Sequence, residues 1–198
     1  MLRGGKTEMN HALLTAWRLW DVIYYHCTRL VYVDKANQNI FRIVVKRFWG
    51  RPLTDEERAV IVPGDLYIKL HIHNCQLAER LQGINGEMRL GLTALREIKN
   101  SLPALAKFVA NHPRKDDIRG VVGTTILYRG ARHLGFHVQE VESSVFRWYK
   151  TAFFRIILSV CHPDGLRRVR YNSDRLVAKR VFMSTDELLS RYLEKKHG

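Results

Sequence analysis

The sequence predicts an α+β (or α/β) fold in which one mixed β-sheet is flanked by helices in a single domain. Three observations carry this expectation. The chain has 198 residues, 46% of them hydrophobic and 10% aromatic, which suffices for one sizeable core. Stretches with the strand period of two are intermixed with stretches of helical period, the pattern of a layered sheet-and-helix domain. No repeat, low-complexity tract or linker interrupts them, so residues 1–198 read as one domain.

The elements follow in order. Leu13, Leu14, Trp17, Trp20 and Tyr24 recur near helical spacing and predict an amphipathic helix over about 10–27. Its apolar run from Ala12 to Trp17 is stopped by Arg18 and Asp21, too short for a signal-peptide core or for the roughly 20 apolar residues that span a bilayer. Leu30–Val33 and Ile40–Trp49 are rich in β-branched and aromatic residues, and Asp34, Lys35, Asn37 and Asn39 between them supply turn chemistry, so a hairpin is expected. Arg42, Lys46 and Arg47 are interleaved with the apolar residues of its second strand.

Thr54 with Glu57 matches a capping box and predicts a short helix, after which Pro63-Gly64-Asp65 turns the chain into a strand over Leu66–His73. Asn74 is the expected cap of a helix to about Leu81. Residues Gly86 to Asn111 form the longest helical pattern, with Pro103 marking a kink or a division into two helices. Val121–Leu127 reads as a buried strand, Tyr128–Leu134 as a short helix closed by Gly135, and Phe136–Val141 as another strand. Ser144 opens a long helix to about Cys161, ended by Pro163-Asp164-Gly165. Arg180–Met183 is the last strand, and the capping box of Ser184 and Glu187 introduces a terminal helix to about Lys195.

The charge narrows the partners. Thirty-three Lys and Arg face 19 Asp and Glu, a net charge of +14. The excess sits at the ends: 8 basic against 3 acidic residues in 1–50, 13 against 11 in 51–144, and 12 against 5 in 145–198. Such a field favours anionic lipid, acidic polymer or nucleic acid without choosing among them, and a well-solvated surface is the plainer alternative. Cys27, Cys75 and Cys161 are too far apart for a local metal or redox motif and fit a reduced, cytoplasmic protein, peripheral at the inner face of the membrane if it meets lipid.

Few constellations carry chemistry. His71 and His73 share a face if both lie on a strand, which makes them half of a metal site, a proton-transfer pair or structural histidines, with Asn74 beside them. No spacing supplies the remaining ligands, so no metal and no cofactor is expected. In Gly120–Arg129 a glycine and paired threonines offer backbone amides to a phosphate, making Thr124 a ligand candidate, but the P-loop lysine is missing. Arg129 opens a short helix rather than ending one, against the helix dipole, and so calls for an anionic partner. No hydrolase template is present, and Cys75 is a nucleophile only by residue type. In the helix from residue 146, Phe146, Tyr149, Phe153, Ile156, Ile157 and Val160 gather on one side. Arg147, Lys150 and Arg155 fall on the other side with Trp148 and Phe154. A basic face interleaved with aromatics suits an anionic membrane surface or stacked bases, or its cations merely snorkel over protein.

Four ordered blocks, PGDLYIKLHIHN (Pro63–Asn74), GTTILYRGARHLGF (Gly123–Phe136), CHPDG (Cys161–Gly165) and RVFMSTDELLSRY (Arg180–Tyr192), resemble the YkoP-like domain of Gram-positive bacteria. Asp65, His71, Asn74, Arg129 and Gly135 fit that pattern. The domain occurs alone or joined to polysaccharide deacetylases, so the resemblance implies a setting in envelope polysaccharide or glycolipid metabolism and no mechanism. The leading expectation is an accessory or binding domain on anionic surfaces, with ligand candidates Asp65, His71, His73, Asn74, Thr124 and Arg129. A GNAT-like acyl- or group-transfer enzyme, with His71 and Arg129 as catalytic candidates, and a nucleic-acid-binding protein are the alternatives.

Overall fold

The computed structural model describes residues 32–33, 39–56, 58–81, 84, 86–145, 147–152 and 177–193. Its strands are β1 (Tyr32–Val33), β2 (Phe41–Arg47), β3 (Leu53–Asp55), β4 (Arg58–Ile61), β5 (Leu66–Ile72), β6 (Ile118–Thr125), β7 (His137–Gln139) and β8 (Lys179–Ser184). The helices are α1 (Asn74–Leu81), α2 (Glu87–Ala110), α3 (Tyr128–His133) and α4 (Thr185–Tyr192), and the backbone is also helical at 144–145 and 147–152. Six strands form one mixed sheet in the order β1-β2-β5-β6-β8-β7, and β3 and β4 form a separate hairpin. The expected α+β architecture with one mixed sheet is therefore present.

Among the described strands of the large sheet only β5 and β6 run parallel, and they are joined by the long crossover through α1 and α2 that a parallel pair requires. The two outer strands, as described, have two and three residues. Strand alternation sends Ile43, Ile68, Val121 and Met183 to one face, where they pack with Leu102, Leu105 and Val109 of α2 and Leu188 of α4. Helix α2 continues unbroken through Pro103. The ring forfeits a backbone hydrogen bond at a cost of about 3 kcal/mol, but burying Leu102, Leu105, Ala106 and Val109, all at 0–1% exposure, outweighs it. One buried polar network ties this helix to β2: Asn39 Nδ2 donates to the Ser101 carbonyl at 3.0 Å, and Ile40 N–H donates to Ser101 Oγ at 3.3 Å.

The opposite face is covered in part by the β3–β4 hairpin. Leu53 and Ile61, both fully buried, pack with Phe48, Val122 and Phe182, and Gly120 permits the contact because a Cβ there would lie 3.0 Å from Ile61 Cδ1. This hairpin replaces the short helix that Thr54 and Glu57 predict. Thr54 pairs with Ala59, and Glu56 adopts φ +50° at the tight turn. A cap contributes about 1 kcal/mol, whereas burying two large aliphatic side chains contributes about 1.5–3 kcal/mol each, so packing overrides the local signal.

Other boundaries follow local chemistry. The second capping box holds, with Glu187 N–H donating to Ser184 Oγ at 3.1 Å. Gly135, at φ +88°, closes α3 as expected: its N–H donates to the Arg132 carbonyl at 3.0 Å and that of Phe136 to the Ala131 carbonyl at 3.1 Å. The predicted helix at 10–27 and the extension of the 144–152 helix to Cys161 lie outside the described residues.

Candidate functional site

The face opposite α2 is where the sequence departs from ordinary sheet packing. Alternation places Arg42, Val44 and Lys46 of β2, Tyr67, Lys69 and His71 of β5, Val122 and Thr124 of β6, and Arg180 and Phe182 of β8 on it. Register then sets neighbours: Arg42 opposite His71, Val44 opposite Lys69, Lys46 opposite Tyr67, Lys69 opposite Val122 and Thr124 opposite Arg180. Lys150, from the helical segment at 147–152, joins them. It is one of the charges acting on both Lys69 and His71.

The electrostatics of this face are one-sided. Burial, and then the neighbouring charges of Lys69, Lys150, Lys46 and Arg42, pushes the His71 imidazole down to about 3, so the ring is neutral at neutral pH. Burial followed by Lys150, Lys46 and Arg180 lowers Lys69. Burial also lowers Lys150 and raises the Tyr67 phenol, the latter offset in part by Arg180. Arg180 lies over the Phe48 ring with its Cζ 5.8 Å from the centroid. Its Nη1 is buried without a hydrogen-bond acceptor among the described residues, and Glu142 Oε1 stands 4.0 Å away.

The residues that sequence reasoning singles out do not all meet here. His71 and Thr124 share the face. His73 leaves it: β5 ends at Ile72, the His73 carbonyl accepts the first α1 bond from Leu77 N–H at 3.0 Å, and its Nδ1 accepts from Gln76 N–H at 3.3 Å. His73, not Asn74, is thus the cap of α1, and His73 does not share the strand face that carries His71. Among the described residues no group of three or more His, Cys, Asp or Glu is arranged to hold a metal ion. Asp65 lies at the far end of β5 from His71 and closes a turn: its Oδ2 accepts from Val62 N–H at 2.8 Å and its N–H donates to the Val62 carbonyl at 3.1 Å, with Gly64 at φ +96° between them. Arg129, on α3, sits 6.0 Å from the Tyr128 ring, and no carboxylate among the described residues pairs with it.

On the helical segment Trp148 is 73% and Tyr149 51% exposed, and Arg147 is half-buried. Tyr149 is thus more exposed than an apolar inner side implies, and Lys150, half-buried with its Nζ 5.8 Å from the Tyr149 ring, is also close enough for its charge to act on Lys69 and His71. Phe154 and Arg155 lie outside the described residues.

Four residues of the face, Arg42, Lys46, Lys69 and Arg180, were missed as site candidates although the period-two pattern marks each of them. Which strands would be neighbours is not encoded at that level. A second cluster was also missed: His137 Nδ1 is 2.9 Å from Asp55 Oδ1 and its Nε2 3.3 Å from Glu187 Oε2, bridging the hairpin, β7 and α4.

The sequence profile of the YkoP domain matches residues 10–192. The chain belongs to the YkoP domain family. Uncharacterized protein YkoP of Bacillus subtilis (strain 168) is 28% identical over 178 residues, which cover 89% of this chain and 97% of that protein. No solved structure matches. In this YkoP domain no helix among the described residues is long and apolar enough to cross a membrane.

Proposed function

We propose that this YkoP domain is an accessory binding domain that associates with anionic surfaces of the bacterial cell envelope, lipid headgroups or acidic polysaccharide, at the inner face of the membrane. The observation that carries the reading is the adjacency of a cationic sheet face, centred on Lys69, to a helical segment whose Val145, Trp148 and Tyr149 stand 75%, 73% and 51% exposed. Aromatic rings enter the headgroup layer while cations meet phosphate or carboxylate, and the net charge of +14 supplies the long-range attraction. The family resemblance supports the envelope setting.

Vesicle flotation tests it. Binding to anionic vesicles and not to neutral ones, falling as salt rises and lost in a folded Trp148→Ala variant, supports the reading. Indifference to anionic lipid and to acidic polysaccharide at low salt removes it. If single-stranded DNA competes with the vesicles and binds more tightly, nucleic acid becomes the partner.

A further inference from the structure

We propose that the sheet face around Lys69 is a discrete receptor for a phosphate or diphosphate group, held by the Lys69, Lys46 and Arg180 cations with the Tyr67 and Thr124 hydroxyls as neutral donors. The inference rests on the anion-binding reading above and narrows it from a diffuse surface to one pocket-sized group.

The argument begins with where these side chains come from. Lys46, Lys69 and Arg180 stand on three strands, β2, β5 and β8, and sheet register fixes their spacing, unlike that of lysines scattered on mobile loops. Lys46 is opposite Tyr67, and Tyr67 and Lys69 are alternate residues of β5 on one face. Thr124 is opposite Arg180. Register leaves Lys46 and Arg180 three strands and four positions apart with Lys69 between them, and both act on Lys69, so these long side chains can converge there on one multivalent oxyanion, for which charge-assisted N–H···O and O–H···O bonds are the strong kind.

The second step concerns cost. Like charges gathered on a half-buried surface repel one another and lose hydration, and here both effects lower Lys69, burial first and then Lys150, Lys46 and Arg180. Lys69 is half-buried, and every charged group acting on it among the described residues is a cation. A hydrophobic residue at the centre of this face would continue the packing of Val44, Val122 and Phe182, which are buried on either side. A bound anion reverses the balance: it repels none of these groups and restores the interactions they lose on burial.

The third observation is Arg180 Nη1. It is buried and donates no hydrogen bond to a described residue, while its nearest carboxylate oxygen, on Glu142, is at 4.0 Å. The guanidinium is held over the Phe48 ring and beside Gly50, where a Cβ would lie 3.5 Å from Nη1, so packing positions it together with a long ion pair to Glu142 that supplies no hydrogen bond. Arginine placed in this way has a donor in reserve for a phosphate oxygen.

A phosphate group can belong to a lipid headgroup or to a soluble molecule, and the experiment separates the two. Inorganic pyrophosphate is titrated into the full-length protein at low salt by calorimetry and by thermal shift, and the same proteins are floated with phosphatidic acid vesicles. The variants are Lys69→Met, Lys46→Met and, as a charge-matched control on the exposed surface of α2, Lys99→Met. Pyrophosphate is expected to bind the natural protein and raise its Tm. Lys69→Met weakens binding by at least about tenfold, the worth of one charge-assisted hydrogen bond, and Lys99→Met leaves it within about twofold. Without ligand, Lys69→Met melts higher than the natural protein, because it removes a repelled charge.

Equal pyrophosphate binding by Lys69→Met and Lys99→Met overturns the proposal. So does a lower melting temperature of ligand-free Lys69→Met with an unchanged far-ultraviolet spectrum, because the lysine then has a structural partner. Lys46→Met, at an exposed position, guards against a folding artefact: it weakens pyrophosphate binding if the site is real and leaves it unchanged if not. Vesicle flotation that persists without any pyrophosphate binding overturns the receptor while sparing the surface reading. Pyrophosphate binding lost with Lys69 but no flotation supports the receptor with a soluble ligand and removes the membrane.

Discussion

One row of side chains on the helix-covered face of the sheet runs Val45, Ile68, Val121, Met183 across β2, β5, β6 and β8; the row one residue along, on the other face, runs Val44, Lys69, Val122, Phe182. Ile68, Val121 and Met183 are fully buried, and α2 and α4 close over them. The second row is apolar at three of its four positions and interrupted by a lysine, with Lys46 and Tyr67 before it and Arg42 and His71 after it. The same backbone thus presents one face that follows the rule of burial and another that breaks it at every alternate position of β5. The first face carries the larger apolar core, whereas on the second the smaller cluster of Phe48, Leu53, Ile61, Val122 and Phe182 adjoins half-buried cations.

The sharpest way to break this contrast is to damage each face and compare. Leu102→Ala empties a fully buried site at the centre of α2 and is expected to cost about 2–5 kcal/mol in denaturant unfolding. A smaller loss than about 1 kcal/mol would mean that the helix-covered face is not the principal core. His71 tests the other face through pH. Its folded value of about 3 lies below the ordinary 6.5, so above pH 6.5 neither state binds a proton there and it contributes nothing. As pH falls below 6.5 the unfolded chain takes up a proton that the fold refuses, and stability drops until pH approaches 3. By pH 4.5 the loss is about 3 kcal/mol relative to His71→Gln, which lacks the group. Stability curves of the two proteins that stay parallel between pH 7 and 4.5 would show that the imidazole is not held neutral.

These tests also mark what the sequence made legible. Period and turn chemistry revealed most elements, because alternation at Ile40–Trp49 and Leu66–His73 and the cap at Ser184 are local signals that the fold leaves intact. The β3–β4 hairpin was hidden for the converse reason: Thr54 and Glu57 carry a valid local signal that burial of Leu53 and Ile61 overrides. His73 looked like a ligand because it follows His71 by two, but the strand ended one residue earlier than the spacing assumed. Lys69 and Arg180 were visible as polar residues in apolar strands, yet they are 111 positions apart and only the order β5-β6-β8 brings them together. Site chemistry assembled across strands is encoded in topology, which periodicity does not contain.

A milder comparison concerns helix ends and turns, where single hydrogen bonds decide. Ser184→Ala removes the acceptor for Glu187 N–H at the start of α4 and is expected to cost about 1 kcal/mol, with pyrophosphate binding unchanged. An equal loss of binding would mean that α4 supports the cationic face as well as the apolar one. Circular dichroism melts and calorimetry on the same samples separate these outcomes.

Asp65 gives the smallest effect and divides two accounts of the same residue. Read with His71 and Arg129 as part of a motif, it belongs to a site; read from its hydrogen bonds, it closes the Val62–Asp65 turn that starts β5. Its carboxylate accepts from Val62 N–H at 2.8 Å, while Arg47 Nη1 donates to the Gly64 carbonyl at 2.9 Å across the same turn. Replacing it with alanine removes one partly exposed hydrogen bond, a loss of about 0.5–1.5 kcal/mol. Asp65→Asn keeps an acceptor and should recover part of that loss without restoring the charge. If the turn is the whole role, both variants bind pyrophosphate and anionic vesicles as the natural protein does, and slightly more tightly at low salt because a negative charge has gone. Loss of binding in Asp65→Asn with stability preserved would instead place the carboxylate in the recognition chemistry, at the end of β5 that carries Tyr67 and faces Lys46.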